Sequence, residues 1–499
     1  MRHAVLLSGV LGVAAVAPLV AGLWPAATGA PADEAAALTR AVGEDGGDAR
    51  VVRYRGVRVP VPEGWTVHRL DRDPTRCVRY DRHAVYLGHP GPQPDCPARV
   101  VGRTEALHVA PLGDGRASRK AVKGDKLASV TVRPTTDHET TLTLPEAGVS
   151  ITGVYGTDPA RLQRVLRGAR LTATWPKDAT QPEQPAQPEQ PAQPEEPEQP
   201  AQPGQPAQPE QPEQQSRQHQ PSPGVSPPRP DARPGAGPGP TTDPDEPSIN
   251  LPSLIDPDDA PEVPDGIDEE VEGAWVSGRG FDTCTAPALA SMRAWRPSFK
   301  VTNIYIGGAA RGCAQPNLTR GWVREVRRMG YRITPTYVGL QAPCGERTQR
   351  FTAGNAAVEG GRAAVDAARR ADALGIPRHR PIYFDMEAYT ARTGSCRNAV
   401  LRFVDAWVRG LRAEDYKPCL YSSVRSGIRD VGRADGISKP ACIWFANWDG
   451  RARIYGDPHL PDSLWAPHRR IKQYRGGHRE RHGGVTINID SNIADGLVY

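Results

Sequence analysis

From about residue 176 to 250 the chain is built almost wholly of Pro, Gln, Glu, Ala and Gly, and a Gln-Pro-Glu-Gln-Pro-Ala pattern repeats from Gln181 onward. Nothing in such a tract can bury enough apolar surface to repay the entropy of ordering, so an extended, polyproline-like tether is expected over 176–272. At about 3.1 Å per residue it can separate its ends by roughly 200 Å, a reach that suits crossing a cell wall. Folded structure must come from the residues on either side. The length of 499 residues leaves room for two to four domains. The hydrophobic fraction of 38% is low for a globular chain, and the deficit is expected to be local to the tether. No run of 18 apolar residues occurs beyond the first 32 positions, which excludes a polytopic membrane protein.

Residues 1–32 place Arg2 and His3 before an apolar run over 4–24, followed by the small residues Ala27, Gly29, Ala30 and Ala32. This reads as a secretory signal peptide, with an uncleaved anchor as the alternative. A single Arg precedes the run, so a twin-arginine signal is not supported. Export implies an oxidising compartment, and the eight cysteines divide two and six across the tether, an even number on each side. A secreted, cell-wall-associated protein without a stable membrane span after cleavage is expected.

Residues 49–175 read as a small α+β accessory domain. The stretch 51–61 alternates as a strand does, Cys77 and Cys96 bracket Ala84-Val85-Tyr86-Leu87-Gly88 and close a loop, and 131–143 is Thr-rich and strand-like. Asp158 is an N-cap candidate for a helix with Leu162, Val165 and Leu166 on one face. It contains no acid, base or metal cluster, so binding or folding support is the expected role.

In residues 274–499 short apolar runs alternate with helical stretches. The runs are 276–281, 301–306, 332–338, 381–384, 418–421, 441–445, 470–474 and 485–489. Eight strands in about 225 residues favour an α/β fold, a (β/α)8 TIM-type barrel with its reactive groups at the strand ends. An open doubly wound sheet is the alternative. Asp282 closes the first strand, Asp385 and Glu387 the fourth, and Asp490 the eighth. A period of two puts Asp385 and Glu387 on one side with Met386 turned away. Closure would set strand eight beside strand one and bring Asp490 next to Asp282.

Glycosidic cleavage needs a proton for the departing oxygen and a negative charge to support the oxocarbenium-like centre, work shared by two carboxyls roughly 5 to 9.5 Å apart. Close carboxylates resist joint ionisation, so one stays protonated near neutral pH. Glu387 is assigned as that acid, with Asp490, Asp282 or Asp385 stabilising charge or orienting water. Tyr305, Tyr337, Tyr389, Tyr421, Trp444, Trp448 and Tyr474 lie at or near the same strand ends, where their faces can stack on sugar rings; Trp444, Trp448 and Tyr474 stand out.

The motifs Gly280-Phe281-Asp282, Ile304-Tyr305-Ile306-Gly307-Gly308, Pro335-Thr336-Tyr337-Val338-Gly339, Phe384-Asp385-Met386-Glu387, Leu420-Tyr421-Ser422-Ser423, Ile443-Trp444-Phe445-Ala446-Asn447-Trp448, Gln473-Tyr474 and Ile489-Asp490-Ser491-Asn492 occur in that order. Through them residues 275–499 resemble the glycoside-hydrolase-like domain of secreted actinobacterial proteins, which in turn resembles family 25 lysozymes. The resemblance implies a TIM-type barrel acting on the peptidoglycan glycan. Glu387 matches the proton donor, and Asp282, Asp385 and Asp490 match the other site carboxylates. Tyr337, Tyr421, Trp444, Trp448, Gln473, Tyr474 and Asn492 are the expected substrate-binding residues. The Cys-bearing loops, including Cys313 and Cys344, depart from the lysozyme pattern, and a family named for its fold can include members that only bind.

Six cysteines allow fifteen pairings, which the barrel reading narrows. Cys419 and Cys442 begin neighbouring strands and are expected to pair, as are Cys284 with Cys313 and Cys344 with Cys396 in the top loops. His478-Arg479-Glu480-Arg481-His482 lies between Gly476-Gly477 and Gly483-Gly484, and so reads as a flexible basic flap rather than a metal-binding helix. No metal or organic cofactor is required. Residues 274–499 hold 35 Arg and Lys against 19 Asp and Glu, a surplus that attracts anionic wall polymers. No nucleic-acid module or phosphate loop is present, so nucleic acid is not an expected partner, and a monomer is expected.

Overall fold

The computed structural model describes residues 50–112, 122–172, 275–391 and 394–499. The expected signal peptide and tether lie outside the described residues.

In the N-terminal region β1 (Arg50–Tyr54) and β2 (Val57–Val61) form a hairpin. Its turn residues Arg55 and Gly56 both take positive φ, the geometry that matches the twist of paired strands. A second sheet contains β3 (Thr66–Arg69), β4 (Ala84–Leu87), β5 (Ala106–Pro111), β6 (Glu139–Leu144) and β7 (Val149–Val154) in the order β3-β4-β5-β7-β6. Helix α1 (Pro159–Arg167) is capped by Asp158, whose carboxylate accepts from the Ala160 amide at 2.8 Å, and β8 (Arg170–Leu171) then joins β2. The helix buries Leu162, Val165 and Leu166 in a core shared with Val59, Val85, Leu107, Leu142 and Ile151.

The C-terminal region runs β9 (Trp275–Asp282), α2 (Leu289–Trp295), β10 (Val301–Gly307), α3 (Arg320–Arg328), β11 (Arg332–Tyr337), α4 (Ala356–Ala373), β12 (Pro381–Asp385), α5 (Gly394–Ala413), β13 (Lys417–Ser423), α6 (Gly427–Arg433), β14 (Cys442–Ala446), β15 (Arg470–His482) and β16 (Val485–Leu497). The eight strands close into a barrel. It is a mixed barrel, not the expected (β/α)8 TIM-type barrel and not an open sheet. Six strand pairs from β9 through β15 are parallel, whereas β15–β16 and β16–β9 are antiparallel. Of the six α-helices among the described residues, five lie in this region, and none follows β14.

The reason is local. Gly483 and Gly484 take φ of 53° and 80°, and two left-handed residues in succession make a tight hairpin turn that joins antiparallel strands without a crossover helix. A Cβ on Gly483 would also lie 2.7 Å from the Ala294 carbonyl oxygen. The expected flap at 478–482 is therefore the end of β15, paired with β16. Asp490 consequently lies in the middle of β16 rather than at its end, yet its register partner on β9 is Asp282.

Both described regions belong to one compact unit. Segments 78–80 and 100–102 lie along the barrel loop 308–314, where the Tyr80 amide donates to Gly312 O at 2.8 Å and the Gly102 amide to Ala310 O at 2.7 Å. Only glycine fits at 312, since a Cβ there would meet Val100 O at 2.6 Å. Four disulfides join Cys77–Cys96, Cys284–Cys313, Cys344–Cys396 and Cys419–Cys442, the pairs named from the sequence. The first two, one from each region, pack against each other with Val100. No helix among the described residues is long and apolar enough to cross a membrane.

Candidate active site

The barrel mouth gathers four carboxylates from three strands. Asp282 ends β9 and is fully buried. It accepts from Tyr305 Oη at 3.2 Å, from Asn492 Nδ2 at 2.6 Å and from Gln473 Nε2 at 3.1 and 3.2 Å. The same Gln473 nitrogen donates to Asp490 Oδ2 at 3.1 Å, so one amide bridges the adjacent carboxylates of β9 and β16. Gln473 Oε1 in turn accepts from Tyr421 Oη and Trp448 Nε1, both at 2.9 Å. Asn492 Oδ1 accepts from Trp444 Nε1 at 2.9 Å, and Trp444 meets the Tyr421 ring edge-on.

Asp385 closes β12, and Glu387 follows it two residues on. Gln341 fixes this turn from both sides: its Nε2 donates to Asp385 O, and its Oε1 accepts from the Glu387 amide, each at 2.7 Å. Met386 is buried away from the mouth, and its amide donates to Tyr421 O at 3.0 Å.

Into this ring the N-terminal region inserts Arg99. Its Nη2 donates to both oxygens of Asp385 at 2.7 Å and pairs ionically with Glu387 Oε1 off the hydrogen-bonding direction, so that oxygen accepts no hydrogen bond. Because one nitrogen touches both carboxylates, their oxygens lie within about 5.5 Å of each other, two hydrogen-bond lengths. The guanidinium lies 4.2 Å from the centroid of the Tyr421 ring. Arg347, from a barrel loop, donates to Glu387 Oε2 at 3.0 Å from the solvent side.

The electrostatics follow from burial and neighbours. Burial raises Asp385 to about 7, against the pull of Arg99 and with the help of Glu387 and Asp282. Burial, reinforced by Asp282, raises Asp490 to about 8 despite Arg99. Asp282 is also raised by burial, opposed by Arg99, Asn492, Gln473 and Tyr305. For Glu387 burial pushes upward too, but Arg99 and Arg347 outweigh it and hold the group below the usual carboxylate value. In this state, then, a proton is favoured on Asp385 over Glu387, the reverse of the order expected from the sequence, because Arg99 and Arg347 both lie on Glu387.

The structure thus brings Asp282, Asp385, Glu387, Asp490, Tyr421, Trp444, Gln473 and Asn492 together. Trp448 is 63% exposed at the rim. Tyr474 is half-buried at a register shift in β15. Tyr337 lies elsewhere: its hydroxyl donates to Asp366 of α4 at 2.9 Å, and its ring packs beside Trp407 of α5. Tyr389 likewise donates to Asp430 of α6. Sequence reasoning missed Arg99, Arg347 and Gln341. Gln341 and Arg347 sit in the loop after β11, where a strand-end reading can find them; Arg99 carries no local signal.

Three solved structures are similar at a distance. They are an uncharacterized B. stearothermophilus protein (20% identity, 44% of this chain and 99% of that one, TM-score 0.32), the Clostridium perfringens spore cortex lytic enzyme SleM (17%, 40% and 62%, 0.28) and the modular autolysin LytC from Streptococcus pneumoniae (10%, 41% and 42%, 0.28). The match spans less than two thirds of the latter two chains. Among curated proteins none matches the sequence. Residues 293–494, which hold most of the barrel and three of its four mouth carboxylates, match the family described as the Rv2525c-like, glycoside hydrolase-like domain.

Proposed function

We propose that the barrel is a glycosidase of lysozyme-like type acting on the glycan of the bacterial cell wall. The observation that carries this reading is the contact of Arg99 Nη2 with both Glu387 and Asp385, which shows two carboxyls side by side at the mouth, the kind of pair that glycosidic cleavage uses. Glu387 delivers the proton to the departing oxygen once Arg99, which holds it ionised in the described state, has left the mouth, and Asp385, with the Asp282–Asp490 pair across the mouth, stabilises the positive charge that develops on the sugar ring. Two carboxylates this close resist joint ionisation, so the pair keeps a proton near neutral pH. Gln473 and Asn492 hold the far pair in place, while the exposed Trp448 offers a face to sugar rings. Peptidoglycan as the substrate rests on the family resemblance. Four disulfides suit the oxidising exterior that a secreted wall protein meets.

The second reading is a barrel that binds wall glycan or an anionic polymer without cleaving it. The burial of Asp282, Asp385 and Asp490 beneath Arg99 favours it. One paired assay decides. The purified full chain is expected to release reducing ends from peptidoglycan, and Glu387→Gln to abolish release while leaving pull-down on walls intact. No release from either protein, with binding by both, would leave only the second reading.

A further inference from the structure

We infer that the acidic mouth is a socket for a guanidinium group, which segment 94–103 fills with Arg99, so that the described state is self-inhibited. The inference rests on the glycosidase reading of the same site. A planar cation lies between two carboxylates on an aromatic floor, Asp385 and Glu387 on one side and the Tyr421 ring below. That is the place where the proposed chemistry puts the positively charged sugar centre, and both cannot occupy it.

The fit is that of an occupant rather than a structural joint. Of the groups on Arg99, Nη2 makes every contact to the carboxylates, while Nε is buried without a partner. Glu387 Oε1 accepts no hydrogen bond. Beside the segment lies a cavity of about 280 Å³ lined by Gln93, Asp95, Cys96, Thr285, Arg479 and Asn488, with Asp95 paired to Arg479 and Cys96 Sγ 3.4 Å from Thr285 Oγ1. Gln93 Oε1 and Asn488 Oδ1, both lining it, are buried and unpartnered as well. Unmade buried hydrogen bonds each cost free energy that a displaced segment recovers in water. The rest of the interface stays anchored, because Gln349 clamps Arg103 through its backbone amide at 2.9 Å and carbonyl at 2.7 Å. Residues 97–99 can therefore lift from the mouth while both flanks remain seated, Asp95 and Cys96 on Arg479 and the Cys77 disulfide, and 100–102 along loop 308–314.

The test uses the full chain and a readout independent of turnover. Carbodiimide-driven amide labelling of the peptide holding Asp385 and Glu387 is followed by mass spectrometry in the wild type, Arg99→Ala and Arg99→Gln; the second variant keeps a polar stem should the first not fold. Opening a state that is otherwise populated at a tenth or less is expected to speed labelling at least about tenfold. Guanidinium chloride, at concentrations that leave the melting temperature unchanged, is expected to refill the socket and slow labelling of the variants but not of the wild type. Equal labelling of variants and wild type, or no protection by guanidinium, overturns the inference. Glycan release is scored separately. Release that rises with labelling supports socket and hydrolase together. Fast labelling with no release in any protein keeps the socket and removes the hydrolase. Release lower in the variants than in an active wild type overturns self-inhibition.

Discussion

Arg99 and Arg103 lie four residues apart on the same segment, and both lie against the barrel, but they are held in opposite ways. Arg103, with no exposed side-chain surface, has a partner for every nitrogen: Nε donates to Arg311 O at 2.7 Å, Nη1 to Asp137 O, and Nη2 to Glu139 Oε2 at 3.1 Å. Around it charges alternate, with Arg311 on Glu139, Arg370 on Asp137, and Asp366 between Arg370 and Tyr337. Arg99 engages the mouth through Nη2 and leaves Nε buried and unpaired among four carboxylates. A balanced cluster fixes where two regions meet. The Arg103 cluster also leaves Arg311 Nε unpaired, so what marks the mouth is four carboxylates, two of them raised to about 7 and 8, gathered about Arg99, as sites that act on something tend to be.

The sharpest way to break this contrast is Arg103→Ala. It removes one of the two guanidinium partners of Glu139 and the donor to the Arg311 and Asp137 carbonyls, and the expected loss is about 3 kcal/mol, a fall in melting temperature of roughly 10 °C by calorimetry. Arg99→Ala should cost clearly less; an equal cost would mean that both arginines are joints.

A smaller effect separates the mouth from the joint by pH. Asp385 and Asp490 are raised to about 7 and 8, above their unfolded value of 3.8, so the folded chain binds more protons than the unfolded one between those limits. Their contribution to stability is full below pH 3.8 and is lost as pH rises through 7 and 8. The melting temperature is therefore expected to fall from pH 5 to pH 8.5, and Asp490→Asn to flatten that fall. A slope unchanged in the variant would place the titration elsewhere.

The smallest effect belongs to Arg347. Its side chain is 43% exposed, so water screens its pair with Glu387. Arg347→Ala is expected to change stability by less than about 1 kcal/mol. Its mark should instead be an upward shift of the Glu387 titration, read by infrared difference spectroscopy against Glu387→Gln.

Much of this was legible from pattern alone. The eight apolar runs correspond to β9 through β16, because strand burial writes itself into short stretches of sequence. Asp282 and Asp490 are neighbours because closure of the barrel sets the last strand beside the first, a consequence of ring order that survives the change from parallel to antiparallel. Tyr337 was misplaced because an aromatic near a strand end can face either the barrel interior or the helices, and one residue of alternation decides which. The extended β15–β16 hairpin has its turn at Gly483-Gly484, and the charged residues Arg479, Glu480 and Arg481 suit a solvated strand as well as a loop, so composition alone does not separate the two.

Spacing along the chain was enough to determine the strands, the pair Asp385 and Glu387 and the cysteine partners, since each depends on a short-range period or on the order of elements. Tertiary structure alone decided that Arg99 closes the mouth. One arginine among 54 in the chain has nothing to distinguish it locally, and the carboxylate it meets lies 286 residues away. Long-range Coulombic contacts leave no periodicity behind them, so only folding the segment onto the barrel brings that pair into being.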